Sequence, residues 1–233
     1  MYFTQKEPNF YYRGNIVYMG DNFTGNLSDY LNELEGYKTI FISETYNRTI
    51  GTLPSTIENI MFDNNSIFDQ PIDNLRPGIK TIKFGCKFSQ NLDNLPDGIE
   101  SIEFSEFSEF NKPLDNLPTS LKKITFGKFF NTPCNNLPRN LECLQLLSKS
   151  YSLELKNLPP GLRYLYFYDD NDFIYSKEII GLPDKLIEIR YPYKYDYEIK
   201  NLPESVKIVR VSSCYKYSDE FRNNFPNKKL YIY

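Results

Sequence analysis

Three carboxylates form the densest group of chemically capable side chains in the sequence. Glu103, Glu106 and Glu109 lie within seven residues, and paired carboxylates can act as general acid and base. Each is followed directly by a phenylalanine, an alternation more typical of charges that keep an aromatic-rich segment soluble. The chain also contains no histidine, so catalytic triads and zinc sites lack their commonest member. The sequence therefore predicts a protein that is not an enzyme and carries no metal and no cofactor.

The cysteines show neither the spacing of a metal site nor that of a disulfide framework. They stand at Cys86, Cys134, Cys143 and Cys214, too far apart for the paired ligands of a zinc site. Cys134 occupies a position that equivalent segments fill with an aliphatic residue, as a small buried thiol can. We expect four free thiols, because disulfides are rare in a reducing compartment.

Charge and hydropathy narrow the classes of partner. The chain has 27 lysines and arginines and 30 aspartates and glutamates, a net charge of −3 with both signs interspersed. It has no basic field to hold a nucleic-acid backbone. No apolar run approaches the roughly 20 residues of a membrane span, and the first residues lack the apolar stretch of a signal peptide. We expect an intracellular protein whose partner is another protein, not nucleic acid or a membrane; the sequence leaves its oligomeric state open.

A repeated Leu-Pro step predicts the secondary-structure elements that position the glutamates and cysteines. Nine anchors align at this step: Leu53, Leu75, Leu95, Leu117, Leu137, Leu158, Leu182, Leu202 and Phe225. Their separations are 22, 20, 22, 20, 21, 24, 20 and 23 residues, and a period near 21 is typical of leucine-rich repeats. The sequence therefore predicts one continuous solenoid over residues 36–233, preceded by an N-terminal cap over residues 1–35.

Each copy of the repeat predicts one short strand. Apolar residues recur seven and nine positions after the anchor, as at Ile102 and Phe104, and this alternation is that of a strand with one buried face. The proline-rich remainder of each copy leaves no room for a full helix, so the outer side should be irregular or single-turn helical. The predicted fold class is a predominantly β leucine-rich-repeat solenoid with nine or so parallel strands.

The segment before the repeats has the pattern of an end cap. Ile16, Val17 and Tyr18 read as a strand, and residues 26–34 read as a short helix. Its apolar face would comprise Leu27, Tyr30, Leu31 and Leu34. Such a strand and helix would cover the stacking surface that the first coil otherwise exposes to water.

Two further columns of the repeat are regular enough to predict a structural role. Seven residues before the anchor, a predicted buried aromatic spine comprises Tyr46, Phe68, Phe88, Phe110, Phe130, Tyr151, Tyr175 and Tyr195. One residue before the anchor, a predicted asparagine ladder comprises Asn74, Asn94, Asn116, Asn136, Asn157, Asn201 and Asn224. We expect the ladder amides to be buried and bonded to backbone groups that the turns leave unpaired, because an amide both donates and accepts. The ninth copy carries Ser218 in place of the aromatic residue.

The exposed face of the predicted sheet offers candidates for binding. Side chains six and eight positions after each anchor would point to solvent, and they vary from copy to copy. In the second half of the chain these columns concentrate residue types that are enriched at interface hot spots. The predicted partner-binding residues are Tyr164, Tyr166, Tyr168, Glu188, Arg190 and Arg210.

The best copies of the repeat resemble a known family. Residues 110–118 read Phe-Asn-Lys-Pro-Leu-Asp-Asn-Leu-Pro, and residues 130–133 repeat the Phe-Asn-x-Pro element. This pattern resembles the FNIP repeat, a leucine-rich-repeat variant of giant DNA viruses and social amoebae. The later copies keep the Leu-Pro step and the strand but lose the Phe-Asn-x-Pro element, as at residues 175–178.

The resemblance implies a non-enzymatic binding or scaffolding protein, placed in the cytoplasm of a host cell if the source is viral. Some members of the family carry an N-terminal F-box that links them to ubiquitin ligases, but no such motif is legible in the roughly 35 residues before the repeats. Three functions stay open at this point: a protein-interaction module, a substrate adaptor of a ubiquitin ligase, and a structural component of a viral assembly.

Overall fold

The computed structural model, which describes residues 9–149, 151–167 and 175–233, is a solenoid with one continuous sheet. Twelve strands follow one another across the sheet in chain order. They are β1 (Phe10–Arg13), β2 (Ile16–Met19), β3 (Thr39–Ile42), β4 (Asn59–Phe62), β5 (Thr81–Phe84), β6 (Ser101–Phe104), β7 (Lys123–Phe126), β8 (Cys143–Leu146), β9 (Tyr164–Phe167), β10 (Glu188–Arg190), β11 (Ile208–Val211) and β12 (Lys229–Ile232). Strands β1 and β2 pair antiparallel, and each later pair is parallel. The predicted fold class is confirmed.

Strand register follows the apolar columns of the sequence. In β6, Ile102 and Phe104 are buried while Ser101 and Glu103 are partly exposed. Ile102 lies opposite Ile82 of β5 and its equivalent in β7, so each column of isoleucine or leucine becomes a continuous buried row. Burial of these rows between neighbouring coils supplies the apolar contact that a single coil cannot make alone.

The N-terminal end is closed by a hairpin and a short helical segment. A two-residue turn at Gly14 and Asn15 joins β1 to β2, and Gly14 adopts a φ of 57° that a side chain would disfavour. A 3-10 turn at Leu27–Tyr30 leads into α1 (Leu31–Leu34), within the predicted helix. Leu27 and Leu34 are buried, but Leu31 is exposed, which corrects its predicted place on the apolar face. The sequence reasoning missed β1, although a Gly-Asn pair between two short β-prone runs is a hairpin signal. The domain boundary at residue 35 stays a prediction.

The aromatic spine is buried along its whole length. None of its eight side chains exposes more than 4% of its surface. In the coils of β4 to β7 each spine ring packs on the phenylalanine that ends the strand. The ring centroids are 4.3 Å apart for Phe104 and Phe110 and 3.7 Å apart for Phe126 and Phe130. Spine rings of successive coils lie about 6 Å apart, as in the pair Phe88 and Phe110 at 6.3 Å. Stacked rings of this kind add to the stabilisation that comes from burial alone.

The spine extends one coil beyond the predicted end. Tyr215 is 5% exposed, and its phenolic oxygen accepts a hydrogen bond from the backbone N–H of Ile199 at 3.0 Å. Counting back from Phe225 had placed Ser218 in this column, because the last coil is lengthened by the helix α2 (Ser218–Asn224). The prediction that the outer side has no room for a helix of this length is therefore wrong for the last coil. Phe221 of α2 is buried and anchors the helix.

The asparagine ladder is not buried, which corrects the prediction. All seven residues are exposed: Asn74, Asn94, Asn116, Asn136, Asn157, Asn201 and Asn224. In the middle coils the amide donates to an aspartate of the preceding coil, as from Asn94 to Asp73 at 3.3 Å and from Asn116 to Asp93 at 3.4 Å. Asn224 is not part of the ladder at all, because it ends α2.

The physical reason is that the turn at this column faces water. Backbone groups beside the column bond locally, as Leu75 N–H does to the carbonyl of Ile72 at 3.2 Å. The column also tolerates left-handed backbone, since Asn157 has a φ of 53° and Gly181 a φ of 66°. Asparagine and glycine are the residues that adopt this conformation most readily.

Buried serines, which the sequence reasoning missed, bond the turns behind the strands. The hydroxyl oxygens of Ser66 and Ser108 accept hydrogen bonds from the backbone N–H of Phe68 and Phe110, each at 3.2 Å. Ser148 donates from its hydroxyl to the carbonyl of Phe130 at 2.6 Å. These small side chains perform the role that we had assigned to asparagine.

Replacing Asn116 by leucine is therefore expected to change the free energy of unfolding by less than about 0.5 kcal/mol, the usual range for an exposed site. Ser108→Ala in the same coil is the comparison, and it should cost more, about 1 kcal/mol, because it removes the acceptor of a buried backbone N–H. Urea denaturation of both variants measures the difference. A larger loss for Asn116→Leu than for Ser108→Ala would contradict the exposed placement of the ladder.

Coils alternate between long and short turns in the first half of the solenoid. The turn between strand and spine residue is long at residues 63–67 and 105–109, and short at residues 85–87 and 127–129. Contacts repeat with the same step of 42 residues: Cys86 N–H bonds the carbonyl of Asn64 at 2.9 Å, and Lys128 N–H bonds that of Glu106 at 2.7 Å. The separations of 22 and 20 residues between anchors are thus the two halves of a double repeat.

Candidate functional site

The predicted binding residues that the structure describes lie side by side on the exposed face of the sheet. Strand register places Gln145, Tyr166, Arg190, Arg210 and Tyr231 opposite one another across β8 to β12. Parallel neighbours are about 4.8 Å apart, so these side chains form one continuous row. We call this row, with Tyr164 and Glu188 beside it, the tyrosine–arginine face. Tyr168 lies outside the described residues.

Two tyrosines form the apolar end of the face. The rings of Tyr164 and Tyr166 are stacked with centroids 6.2 Å apart, and both side chains are partly exposed. Burial raises the pKa of Tyr166 to about 12, and the negative charge of Glu188 acts in the same direction. The phenol therefore stays protonated and neutral at physiological pH, where it can donate a hydrogen bond.

Arg210 is held in place by neighbours within the chain. Its Nε donates to a carboxylate oxygen of Glu188 at 2.6 Å, and its guanidinium lies 4.8 Å from the ring centroid of Tyr231. The hydrogen bond to Glu188 raises the pKa of Arg210 above its already high usual value. Glu188 is well shielded, with 13% of its side chain exposed, so this pair is a fixed part of the face.

Arg190 differs from its neighbour because no carboxylate of the described residues pairs with it. Its guanidinium lies 5.3 Å from the ring centroid of Tyr233, a favourable contact between a cation and an aromatic face. Its Nε is shielded from solvent and has no hydrogen-bond partner among the residues that the structure describes. Two arginines thus stand next to each other in the row, and the carboxylate of Glu188 is bonded to Arg210.

A shallow cavity opens between these side chains. It has a volume of about 500 Å³. Its walls are Gln145, Leu147, Tyr166, Phe167, Glu188, Arg190 and Arg210. The cavity thus combines an aromatic wall, a fixed ion pair and the unmatched guanidinium of Arg190 in one depression.

The first half of the same face differs in the kind of side chain it carries. A cavity of about 580 Å³ at its N-terminal end is lined by Tyr18 and Phe41 but by no arginine. The strands between the two cavities carry paired side chains. Lys83 and Glu103 form an ion pair at 3.7 Å, and Thr125 donates from its hydroxyl to the side-chain oxygen of Gln145 at 3.0 Å. These side chains satisfy one another across neighbouring strands. Exposed ion pairs of this kind contribute little to binding or stability.

The three glutamates with which the sequence suggested chemistry are separated by the fold. Glu103 pairs with Lys83, Glu106 with Lys128 and Glu109 with Lys87, so each carboxylate contacts a lysine of a neighbouring coil. Within residues 9–149, 151–167 and 175–233, no group of three or more histidine, cysteine, aspartate or glutamate side chains is placed to hold a metal ion. Cys134 is buried, and burial raises its pKa to about 12, so the thiol is unreactive. None of the described helices is long and apolar enough to span a membrane.

The sequence pattern identified most of the face but missed its C-terminal border. Gln145 lies in the predicted exposed column but was not among the predicted partner-binding residues. Tyr231 and Tyr233 were also absent from that prediction. Their contacts with the two arginines depend on β12 pairing in register with β11. The apolar alternation at the end of the chain signalled that strand, but it did not indicate which side chains would meet the arginines.

Comparison with known proteins supports the fold. No protein-family model and no curated protein matches the sequence. A solved structure that is similar is that of CroV588, a giant-virus protein described as a novel circular leucine-rich-repeat protein, with a TM-score of 0.77 and 24% sequence identity. The match covers 89% of this chain and 32% of CroV588, so this chain spans about a third of the length of that protein.

Proposed function

We propose that this protein is a non-enzymatic binding module whose protein partner docks on the tyrosine–arginine face. Leucine-rich-repeat solenoids in general serve protein–protein interaction, and the fold has that form. The FNIP assignment stays a prediction that rests on the Phe-Asn-x-Pro copies of the repeat.

The observation that carries the proposal is the clustering of hot-spot residue types on one half of one face. Tyrosine offers a large flat contact area at low entropic cost, and arginine offers directed, charged hydrogen bonds. Tyr164, Tyr166, Arg190 and Arg210 occur together around one cavity and an adjoining strand position. The cavity at the other end of the face has aromatic walls but no arginine, and Lys83 and Glu103 between them pair with each other. A partner that docks on the second half gains aromatic contact area and charged hydrogen bonds at one place.

The double variant Tyr164→Ala and Tyr166→Ala is expected to abolish partner binding while the protein stays folded. The test is affinity purification from cells of the native source, followed by mass spectrometry and a pull-down with the purified partner. The matched control is Lys83→Ala with Glu103→Ala on the other half of the same face, which should leave recovery of the partner unchanged. Recovery that survives the tyrosine variant but is lost when residues 1–35 are deleted would contradict the proposal and assign docking to the cap.

The identity of the recovered protein separates the functions left open by the sequence. A cullin-associated adaptor would indicate a role in substrate recognition by a ubiquitin ligase. A particle protein would indicate a structural role in an assembly, and an unrelated soluble protein would indicate an interaction module alone.

A further inference from the structure

We infer that the tyrosine–arginine face binds its partner through an acidic side chain, an aspartate or glutamate whose carboxylate pairs with Arg190. This inference rests on the proposed function and adds the chemistry of the partner. It predicts that the docking segment presents one carboxylate to the cavity, with an apolar or aromatic residue beside it.

The first step of the argument is the charge of the site. Arg190 and Arg210 are direct neighbours in the strand register, so two positive groups share a small area. Glu188 supplies one carboxylate, which pairs with Arg210 through a short hydrogen bond. The three side chains leave one positive charge over, located at Arg190.

The second step is the state of that guanidinium. The Nε of Arg190 is removed from water without a hydrogen-bond partner within the part of the chain that the structure describes. A shielded donor that lacks an acceptor is costly, and a docking carboxylate that turns the guanidinium toward itself would recover that cost. A carboxylate is the acceptor whose geometry fits a guanidinium best, because two parallel hydrogen bonds form at once.

The third step is the shape of the cavity. Tyr166, Leu147 and Phe167 line it together with the arginines, so a carboxylate at Arg190 would lie close to an apolar wall. The phenol of Tyr166, which burial keeps protonated, is a further donor on that wall. Charge and shape therefore both favour an acidic residue next to an apolar one, and they do not favour a basic or uniformly polar segment.

The test uses the full chain and a random peptide library displayed on phage. Peptides are selected on the wild-type protein, and their affinities are measured by fluorescence anisotropy. We expect the enriched peptides to share an aspartate or glutamate at a fixed position. Replacing it by asparagine or glutamine, or introducing Arg190→Gln, should each weaken binding by about tenfold or more, the scale of a lost charge-assisted contact.

Two controls make the result specific. Combining the peptide substitution with Arg190→Gln should weaken binding no further than either change alone, because both remove the same contact. Lys83→Gln, in the same exposed column but five strands away from Arg190, should leave affinity unchanged. Circular dichroism melting of Arg190→Gln should match the wild type, and the Nε–Hε resonance of Arg190 should shift when the peptide is added.

The outcomes separate this inference from the proposed function. Selected peptides that require Tyr166 but contain no fixed acidic residue and tolerate Arg190→Gln would overturn the acidic-partner inference and leave the docking face intact. Peptides that bind the Tyr164→Ala and Tyr166→Ala protein as tightly as the wild type would overturn both. A selection that yields no peptide preferring the wild type to Arg190→Gln also overturns the inference.

Discussion

Phe130→Ala is expected to lower the free energy of unfolding by about 3 to 5 kcal/mol, the range for a large aromatic residue removed from a core. Phe130 is 1% exposed, and its ring lies 3.7 Å from that of Phe126 and 6.2 Å from that of Tyr151, measured between centroids. The substitution leaves a cavity between two coils, and neither coil can close it without disturbing the sheet. Chemical denaturation monitored by tyrosine fluorescence and circular dichroism gives the measurement.

The residue next to it in the chain is the matched control. Phe129 is 53% exposed, so Phe129→Ala removes the same number of atoms from the same coil but opens no cavity. We expect the loss for Phe129→Ala to stay below about 0.5 kcal/mol. Equal losses for the two variants would mean that the assignment of inward and outward positions in this turn is wrong.

Gly127→Ala is expected to destabilise the protein by about 3 kcal/mol, at the upper end of typical overpacking. A methyl group at this position would lie 2.4 Å from the carbonyl oxygen of Ser105 and 3.0 Å from the backbone nitrogen of Ser108. Both are backbone atoms of the neighbouring coil, so they cannot rotate away as a flexible side chain would. The coils would have to move apart, and the hydrogen bond from Lys128 N–H to Glu106 would lengthen.

An alanine at Ser105, the equivalent position of the neighbouring coil, should have no such effect. Ser105 already has a Cβ in its place, and its hydroxyl has no hydrogen-bond partner among the described residues. Ser105→Ala is therefore expected to change stability by less than about 0.5 kcal/mol or to increase it slightly. Thermal melts of both variants compare alanine in a short turn with alanine in a long one. If the Gly127→Ala and Ser105→Ala variants have the same melting temperature, the close contact between the coils is not present in solution.

The repeat period predicted the fold and the spine because both depend on which residues recur. Isoleucine, leucine and phenylalanine at fixed distances from the anchor have few alternatives to burial, so Phe110 and Ile124 could be placed from the sequence. The asparagine column recurs equally well, yet recurrence does not reveal direction. Asn116 is regular because its exposed turn repeats, with an aspartate of the previous coil as its partner.

The candidate site was predictable in composition but not in electrostatics. Alternation along each strand indicates that Tyr166, Arg190 and Arg210 share a face, since the side-chain period of a strand is two. It cannot indicate that Glu188 bonds Arg210 rather than Arg190, because that choice depends on side-chain rotamers across two strands. The unmatched guanidinium, on which the partner chemistry depends, is visible only in three dimensions.

In the first half of the solenoid, the alternation of long and short turns makes the pair of coils, not the single coil, the repeating structural unit. Gly127 fits over the long turn that begins at Ser105, and Gly85 fits in the same way over the one that begins at Asp63. Duplicating or losing one coil would bring two turns of the same kind together and place a side chain where only glycine fits. Duplicating or losing 42 residues, such as 64–105, would keep every turn beside its complement. The modular length for lengthening or shortening this half of the protein, by genetic recombination or by design, is therefore 42 residues, twice the period that its Leu-Pro steps suggest.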